Sequence, residues 1–433
     1  MAATATRRVA TARKSAEKAA RRVHAELEHR VGISVPVRLW DGTELGDGAA
    51  GFRIVLTYPW SLRALLRPPF DLAAGEAYVE GAIDLEGDPV AAMALGERIA
   101  LDTIDLLPLL RRVRALPRPP RRHHPRRAAL HGRMHSKTRD AQAIAFHYDL
   151  PQAFYEQFLD ANLVYSCAYF ANPGEPLEPA QERKLDLICR KLRLRPGMRL
   201  LDIGCGWGSL LAHAAGRYDV HGVGVTLSRT QAEAGRQLLA REGLAGQIDI
   251  RLQDYRDLDE RFDAVASVGM AEHVGPGRLG EYVTAVWRLL AEGGSFLNHC
   301  IVLGDADRVR TGRERTFLGA YVFPDGGLVP AWRIVREIER GGFEVLDVEQ
   351  LRPHYALTLR RWLRSLEAHH DQAVAAASEA DYRVWRAYMA GAAHSFECRS
   401  LGVVQVLGHK PGPARADPPF GRSWMLPSQA VTG

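Results

Sequence analysis

The stretch that decides the fold is Leu200–Gly208 (LLDIGCGWG), near the middle of this 433-residue chain. A short apolar strand leads there into three glycines at alternate positions, and a helical pattern follows from Ser209 to Ala215. Glycines at such a turn let the backbone approach a ligand closely at the carboxyl end of a strand, where open α/β sheets bind their ligands. The stretch therefore predicts a strand, a ligand-binding turn and a helix within an α/β domain.

Further strand patterns surround this stretch, and helical patterns separate them. Strands that alternate with helices are typical of a parallel, doubly wound sheet. We expect the ligand site to lie where these strands end. The predicted strands are Arg199–Ile203, Val220–Val225, Ile248–Leu252, Ala264–Val268 and Ser295–Ile301.

The residues around the glycine turn narrow the choice of ligand. No Lys-Ser or Lys-Thr pair follows the glycines, as a phosphate-binding loop requires. The next strand does not end in the acid that holds the ribose of a dinucleotide, and Thr226 and Gln231 stand there instead. Asp202, inside the strand end, suits the amino-acid moiety of S-adenosylmethionine better than a pyrophosphate. Gln253 and Asp254 close a third strand, where methyltransferases commonly bind adenine.

The composition indicates a globular protein with a polyanionic partner. Hydrophobic residues make up 46% of the chain and charged residues 25%, which is ordinary for a protein with buried cores. The five cysteines are scattered without zinc-ligand spacing, so neither a disulfide framework nor a metal site is expected. No apolar run resembles a membrane span or a signal peptide, so we expect a cytoplasmic protein. The net charge of +6 favours nucleic acid or an anionic lipid surface as the partner.

The composition also divides the chain into parts. Residues 1–30 form a basic helical pattern, and residues 35–58 alternate around Asp-Gly turns, which predicts short strands and hairpins. The last residues are rich in Pro, Gly and Ser, which predicts disorder. The predicted parts are a small α+β domain over 1–110, a basic Pro/Arg-rich linker over 111–140, an α/β domain over 141–409 and a disordered tail over 410–433.

The linker has no periodic apolar face, and its charge is strongly basic. Two interpretations stay open. It is either a solvated spacer or a polybasic patch that adsorbs to anionic lipid, where each charge near the surface contributes about 1 kcal/mol. Its densest cluster consists of Arg121, Arg122, Arg126 and Arg127.

A series of short strings in residues 141–409 matches one known enzyme family. In chain order the strings are His147–Asp149, Tyr165–Phe170, Leu201–Gly208, Gly224–Ser228 with Gln231, Gln253–Asp257, Met270–Gly275, Phe323–Gly327 and His354-Tyr355. In these strings the chain resembles the cyclopropane-fatty-acyl-phospholipid synthase family, which also includes mycolic acid methyltransferases. The resemblance implies a seven-stranded, Rossmann-like S-adenosylmethionine methyltransferase domain. A weaker match at Gly75–Gly81 implies a small α+β lipid-binding domain before it.

The resemblance also implies the residues of the site. In this family S-adenosylmethionine contacts the positions that match Tyr165, Ser166, Gly204, Gly206, Thr226 and Gln231. A bicarbonate ion is held by the positions that match Cys167, Glu272, His299, Ile301 and Tyr355, in part through the backbone. The resemblance further implies an unsaturated membrane phospholipid as substrate, peripheral attachment to the membrane, a homodimer and no nucleic-acid partner.

The implied reaction transfers a methylene group from S-adenosylmethionine to the cis double bond of the acyl chain and gives a cyclopropane ring. An alkene is a poor nucleophile, so the donor methyl must be held near attack distance in a site without water. One proton must then leave the new methyl group before the ring closes, and bicarbonate is the implied base. Aromatic faces stabilise a cation. The candidates are Tyr169, Trp207, Tyr321 and Phe323.

Three other functions stay open. Methylation of the same alkene followed by a hydride shift gives a methylene- or methyl-branched chain. A methyltransferase for nitrogen or oxygen of a small molecule or RNA is less favoured, because nothing resembles an aromatic platform for bases. A lipid-binding protein without activity is disfavoured by the intact candidate residues.

The segment Asp325–Pro330 (DGGLVP) departs from the Gly-Gly-x-Leu-Pro-Ser of better-known family members, near the family's substrate entrance.

Overall fold

A computed structural model describes most of the chain. The described residues are 2–101, 111–120, 126–305, 307–312, 315–412 and 419–426. They form two compact units. The first comprises Met1–Arg127, Arg315–Val322 and Ser378–His394, and the second comprises Ala128–Glu314, Phe323–Ala377 and Ser395–Gly433. Two short segments that the sequence assigns to the α/β domain therefore belong to the first unit.

The first unit is built on a small mixed sheet with the strand order β2-β1-β3-β4. The three short strands predicted within 35–58 are present, and β4 is a further strand that the sequence analysis missed. The strands are β1 Val37–Arg38, β2 Glu44–Leu45, β3 Phe52–Leu56 and β4 Ile83–Gly87. The helices are α1 Ala2–Val31, α2 Ser61–Leu65, α3 Phe70–Val79, α4 Pro89–Leu101, α12 Phe317–Tyr321 and most of α16 Glu379–Glu397.

The predicted linker is packed where the structure describes it. Val113 and Leu116 are buried in the core of the first unit, so two apolar side chains anchor this basic segment. Arg126 forms an ion pair with Asp381, and Arg127 forms one with Glu76, both within the first unit. The spacer interpretation therefore fails for these residues, because burial and ion pairing hold them in place. The other two arginines of the basic cluster, 121 and 122, lie outside the described residues.

The second unit contains a seven-stranded sheet with the order β10-β11-β9-β8-β5-β6-β7. Neighbours from β9 to β7 run parallel, and β11 runs antiparallel to both β9 and β10. Two of the five predicted strands have the predicted bounds, and the other three overlap theirs. The strands are β5 Arg199–Ile203, β6 His221–Thr226, β7 Ile248–Leu252, β8 Phe262–Val268, β9 Leu290–Leu303, β10 Glu344–Gln350 and β11 Leu401–His409.

Apolar side chains cover both faces of this sheet. Successive residues of a strand point to opposite faces, and on β5 Leu200 belongs to one core cluster while Leu201 belongs to the other. Helices pack on both faces, which is why the strands read as continuous apolar runs. The helices are α5 Lys137–Tyr148, α6 Gln152–Tyr155, α7 Leu177–Lys191, α8 Ser209–Tyr218, α9 Arg229–Arg241, α10 Ala271–Val274, α11 Leu279–Leu289, α13 Ala331–Arg340, α14 Arg352–Ala368 and α15 His370–Ala376.

The predicted disordered tail contains a folded turn. Ser423–Met425 forms a short 3₁₀ helix, and the Met425 side chain is buried in one of the two core clusters. The guanidinium of Arg193 lies 5.9 Å from the ring centre of Trp424. The composition of the segment predicted disorder, but its two large apolar side chains dock it on the second unit. No helix within the described ranges is long and apolar enough to cross a membrane.

Candidate active site

A cavity of about 310 Å³ opens at the carboxyl ends of strands β5 to β8. This is the position that an open α/β sheet uses for its ligands. All nine residues that the sequence analysis assigned to cofactor binding line it. They are Tyr165, Ser166, Asp202, Gly204, Gly206, Thr226, Gln231, Gln253 and Asp254. The fold thus brings together side chains that are separated by up to about ninety positions.

The glycine turn forms the floor of the cavity through its backbone. The amides of Gly204 and Cys205 both donate to the carbonyl of Val225, at 2.9 and 3.1 Å, so the turn is tied to the neighbouring strand. Gly204 has a φ of +79° and Gly206 a φ of +54°, a region that L side chains rarely adopt. A β-carbon on Gly204 would also lie 3.2 Å from the Cγ of Met270. Glycine is therefore required by both conformation and space.

Buried charge stands beside this turn. One carboxylate oxygen of Asp202, Oδ1, is buried and has no hydrogen-bond partner in the described part of the chain. The Nζ of Lys184, on α7, donates to the hydroxyl of Ser166 at 2.8 Å. Burial raises the pKa of Asp202 to about 7 and lowers the pKa of Lys184 to about 8, although each charge partly offsets the other shift. An unpartnered carboxylate oxygen on a cavity wall suits the ammonium group of an amino acid.

Lys184 is a cavity residue that the sequence analysis missed. It lies on the buried face of the amphipathic helix α7, where Gln181, Leu185 and Ile188 are also buried. A lysine within such an apolar stripe is unusual, because lysine is almost never fully buried unless it is paired. The position of Lys184 on this apolar face was the feature of the sequence from which its burial could have been predicted.

The polar residues after β6 and β7 are held by local bonds. The hydroxyl of Thr226 donates to the Oε1 of Gln231 at 3.0 Å, and Ser228 caps the helix that carries Gln231. Asp254 accepts from the backbone and the guanidinium of Arg256, at 2.9 and 2.8 Å. The carboxylate of Asp254 is therefore already engaged, and it shapes the cavity wall together with this arginine.

Helix α5 closes one side of the cavity. Asp140, in its first turn, accepts from the Nη2 of Arg256 at 2.9 Å. Near its end, the hydroxyl of Tyr148 lies 3.3 Å from the Nε2 of His273. Burial lowers the pKa of His273 to about 4, so this imidazole is neutral at pH 7. The sequence analysis did not assign these four side chains to the site, although all of them line it.

A second, smaller cluster lies beside the cavity, around Glu272. This residue belongs to α10, and its Oε1 accepts from the backbone amide of Ile301 at 2.7 Å. Strand β8 pairs with β9 only as far as the partners Val268 and His299, so the amide of Ile301 lies beyond the last pair. A buried amide needs an acceptor, and Glu272 supplies it. The remaining oxygen of Glu272, Oε2, is buried without a partner among the described residues.

His299 stands two residues before Ile301 on β9 and is likewise buried. Its Nε2 has no hydrogen-bond partner within the described ranges. Burial, assisted by the charges of Lys184 and Lys191, lowers the pKa of His299 to about 3, so the ring is neutral. Burial raises the pKa of Glu272 to about 7. Two buried polar atoms without partners, on neighbouring elements, leave a place for a small polar ligand.

The other two predicted residues, Cys167 and Tyr355, are linked to this cluster by a series of hydrogen bonds that runs through Leu351 and Val403. The thiol of Cys167 donates to the carbonyl of Ala168 at 3.3 Å and lies 3.8 Å from the carbonyl of Leu351. The amide of Tyr355 donates to that same Leu351 carbonyl, at 3.2 Å. The amide of Leu351 in turn bonds Val403, which is the register partner of Ile301. Burial raises the pKa of Cys167 far above its ordinary value, so the thiol stays protonated.

Two of the four predicted aromatic residues lie at the site. Trp207 lines the cavity, and the ring of Phe323 lies 4.2 Å from that of His147. Tyr169 instead donates to Glu349 at 3.1 Å and stacks on His354. The fourth candidate, at position 321, belongs to the first unit, where its hydroxyl donates to Glu76. These two tyrosines are not among the residues that line the cavity, and their roles at the cation stay predictions.

The comparisons with known proteins identify the family. A family model described as mycolic acid cyclopropane synthetase matches residues 135–406. The chain belongs to this family. A second model, described as a domain of unknown function, matches residues 23–95. The predicted resemblance is thereby confirmed, and the protein is an S-adenosylmethionine-dependent methyltransferase of the cyclopropane synthase and fatty acid methyltransferase group.

Individual relatives extend the match over nearly the whole chain. A probable fatty acid methyltransferase of Pseudomonas putida is 41% identical over 386 residues, which covers 88% of this chain and 92% of the relative. The cyclopropane-fatty-acyl-phospholipid synthase of Escherichia coli is 38% identical over 261 residues, which covers 60% of this chain and 66% of that enzyme.

Solved structures of two cyclopropane synthases share the fold of the second unit. MmaA2 from Mycobacterium tuberculosis superposes with a TM-score of 0.59 at 32% identity and covers 62% of this chain and 98% of its own. The mycolic acid cyclopropane synthase CmaA1, solved with SAH and CTAB, has a TM-score of 0.58 at 34% identity, with the same coverage. The predicted α/β methyltransferase fold is confirmed by these matches and by the seven-stranded sheet.

Proposed function

We propose that this protein transfers a methylene group from S-adenosylmethionine to the cis double bond of an unsaturated phospholipid acyl chain and forms a cyclopropane ring, with bicarbonate as the proton acceptor. One observation carries the proposal. Beside a cavity that suits the methyl donor, Glu272 and His299 each present a buried polar atom that lacks a partner among the described residues.

The hydrogen-bonding groups around Glu272 are suited to bind a small anion that carries one proton. The neutral imidazole of His299 can donate to an anion, and the amide of Ile301 keeps Glu272 in place. With a pKa near 7, Glu272 can accept a hydrogen bond from an O–H group or donate one. When bound there, bicarbonate supplies an acceptor for the proton that must leave the new methyl group.

The residues of the chain perform the remaining tasks. The unpartnered oxygen of Asp202 is placed to accept from the ammonium group of the methyl donor, and Lys184 holds Ser166 beside it. The glycine turn leaves room for the amino-acid moiety of S-adenosylmethionine. Thr226 and Gln231, which line the cavity, are the proposed contacts of its ribose. Apolar side chains exclude water, which keeps the donor methyl near the alkene.

A second product class has support from a specific finding. Two relatives that match about nine tenths of the chain, at 41% and 39% identity, are described as probable fatty acid methyltransferases. Methylation, a hydride shift and the loss of one proton would give a methylene-branched chain at the same site, and a saturated methyl branch would further need a reductant. Ring closure and methylene formation both release one proton, so the buried atoms of Glu272 and His299 are compatible with either product.

The test is the product itself. We would express the chain in a bacterium that lacks cyclopropane lipids and analyse the fatty acid esters of its phospholipids by proton NMR. The proposal predicts the shielded hydrogens of a cyclopropane ring, whereas exocyclic-methylene or branched-methyl signals without them would establish the second product. Assays of the purified protein on unsaturated phospholipid vesicles should slow when bicarbonate is removed. Full speed in bicarbonate-free buffer would contradict the proposed base.

We also propose peripheral attachment to an anionic membrane surface. Arg111, Arg114 and Arg118 are exposed, whereas ion pairs with Glu26, Asp381 and Glu76 reduce the contributions of Arg112, Arg126 and Arg127. In vesicle flotation, an Arg114→Gln/Arg118→Gln double variant should bind anionic vesicles several-fold more weakly, and rising salt should remove the difference. An Arg195→Gln/Arg241→Gln variant is the control, because both side chains are exposed on the second unit. Equal, salt-insensitive binding to neutral and anionic vesicles would exclude this role.

Cytoplasmic localisation and the homodimer stay predictions. Sedimentation analysis would test the homodimer.

A further inference from the structure

Gln405 on β11 is a buried polar residue that the proposed chemistry does not use. It is the register partner of His299 across the antiparallel pair β9–β11. Directly opposed residues of an antiparallel pair project to the same face of the sheet. The Gln405 side chain is fully buried, at 0% exposure, and its Nε2 lies 3.2 Å from the Nδ1 of His299. The contact is therefore a hydrogen bond between two side chains that is shielded from solvent.

This bond selects the tautomer of His299. The ring is neutral, so one ring nitrogen carries the proton and the other accepts a hydrogen bond. An amide NH₂ group can only donate, so the Nδ1 that faces it must be the acceptor. The proton then resides on Nε2, the nitrogen that is buried without a partner in the described part of the chain.

The opposite arrangement is unfavourable for an anion. If the amide of Gln405 were turned to accept from Nδ1–H, then Nε2 would present a lone pair. Two atoms without a partner among the described residues, this Nε2 and the Oε2 of Glu272, would then both present lone pairs. Only the Nε2–H tautomer provides a donor to a negatively charged group.

We propose that Gln405 is a positioning residue that holds His299 as the Nε2–H tautomer, so that the imidazole donates to the small anion beside Glu272. This inference rests on the proposed function for the identity of the anion. It predicts that Gln405 controls the affinity for bicarbonate and leaves the affinity for S-adenosylmethionine unchanged.

The first measurement uses the parent protein alone. In protein labelled with ¹⁵N-histidine, long-range ¹H–¹⁵N spectra report which nitrogen of each ring carries the proton, and comparison with His299→Gln identifies the signals of His299. We expect a protonated Nε2 and an unprotonated Nδ1. A protonated Nδ1 in the parent would overturn the inference without any variant.

The second measurement uses two variants and binding rather than turnover. Gln405→Met keeps the shape but cannot donate, and Gln405→Glu offers a carboxylate that accepts from Nδ1–H and reverses the tautomer. Titration with ¹³C-bicarbonate in the presence of S-adenosylhomocysteine should show affinity about tenfold or more lower, since hydrogen bonds to charged groups are among the strong ones. Gln405→Glu should lower the affinity for bicarbonate more than Gln405→Met does. Gln372→Met, at an exposed position, is the matched control.

The kinetic result should follow the binding result. Each Gln405 variant should need more bicarbonate for half-maximal rate while its dissociation constant for S-adenosylmethionine stays that of the parent. Unchanged bicarbonate affinity in Gln405→Glu with a reversed tautomer would overturn the role of Gln405 and leave the proposed base intact. A parent that neither binds nor needs bicarbonate would instead overturn the proposed base, and with it the anion that Gln405 serves.

Discussion

The cofactor cavity and the proposed anion cluster, formed by Glu272 and His299, are neighbours that are built in opposite ways. The cavity takes Asp202, Gly204 and Thr226 from turns at the ends of adjacent parallel strands, and its essential feature is backbone conformation. The anion cluster takes Glu272 from a short helix and His299 from a strand, and its essential feature is a set of sealed side-chain bonds. The cavity should therefore be sensitive to added volume, and the cluster to altered polarity at constant volume.

The largest expected effect is a change of polarity in the cluster. Glu272→Gln keeps the volume and can still accept from Ile301, but it alters the group that faces the anion. General-base assistance contributes about 10²–10⁴ in rate, so we expect turnover to fall about 10³-fold. The dissociation constant for S-adenosylmethionine should change less than about threefold, because the cofactor cavity is separate from the cluster.

Added bicarbonate should restore part of this loss, because mass action refills a weakened site. Glu344→Gln, on the exposed side of β10, is the control. If Glu272→Gln remained fully active, the two regions would not differ as described, and Glu272 would be a carboxylate at a helix start with no chemical role.

The second effect is a change of volume in the cavity. Gly204→Val adds a side chain at a φ of +79°, next to Met270. We expect the affinity for S-adenosylmethionine, measured by calorimetric titration, to fall about a hundredfold, which corresponds to about 2.7 kcal/mol. Gly216→Val should bind as the parent does, because Gly216 lies on an exposed turn of α8 with open space around it. Undiminished affinity in Gly204→Val would remove the glycine turn from the site.

The smallest effect concerns stability and pH. Burial raises the pKa of Glu272 from 4.5 to about 7, so between these pH values the folded chain holds a proton that the unfolded chain has released. The folded state therefore loses stability as the pH rises through this window. Glu272→Gln does not titrate and avoids that loss.

In bicarbonate-free buffer, the advantage of the variant over the parent in unfolding free energy should grow by about 2 kcal/mol between pH 5 and pH 8. The contribution of Asp202, whose pKa is also raised, is common to both proteins and cancels. Urea denaturation at both pH values measures the difference. An advantage that shrank between pH 5 and pH 8 would mean that Glu272 is ionised favourably in the folded chain.

The structure departs from the sequence analysis where composition was the only guide. The basic, proline-rich segment after residue 110 read as a linker, yet Val113 and Leu116 are buried in the first unit. The tail read as disordered, yet Met425 is buried in a core of the second unit. In each case one or two apolar side chains found a hydrophobic surface formed by distant residues. The average composition of a segment does not show whether one or two of its apolar side chains are buried.

By itself the sequence determined the parallel sheet, the bounds of β5 and β7, and the nine side chains that line the cavity. The strands and the glycine turn follow from local rules: apolar runs form buried strands, glycine permits the turn, and parallel strands bring their carboxyl ends to one edge. Tyr165 and Ser166 followed instead from the resemblance to the family. Only the tertiary structure decided that Lys184 is buried beside Ser166 and that Gln405 faces His299. The contact of Gln405 depends on strand pairing between residues 106 positions apart, and the contact of Lys184 depends on how α7 packs against a residue 18 positions before it. Neither partner is given by a local pattern in the chain.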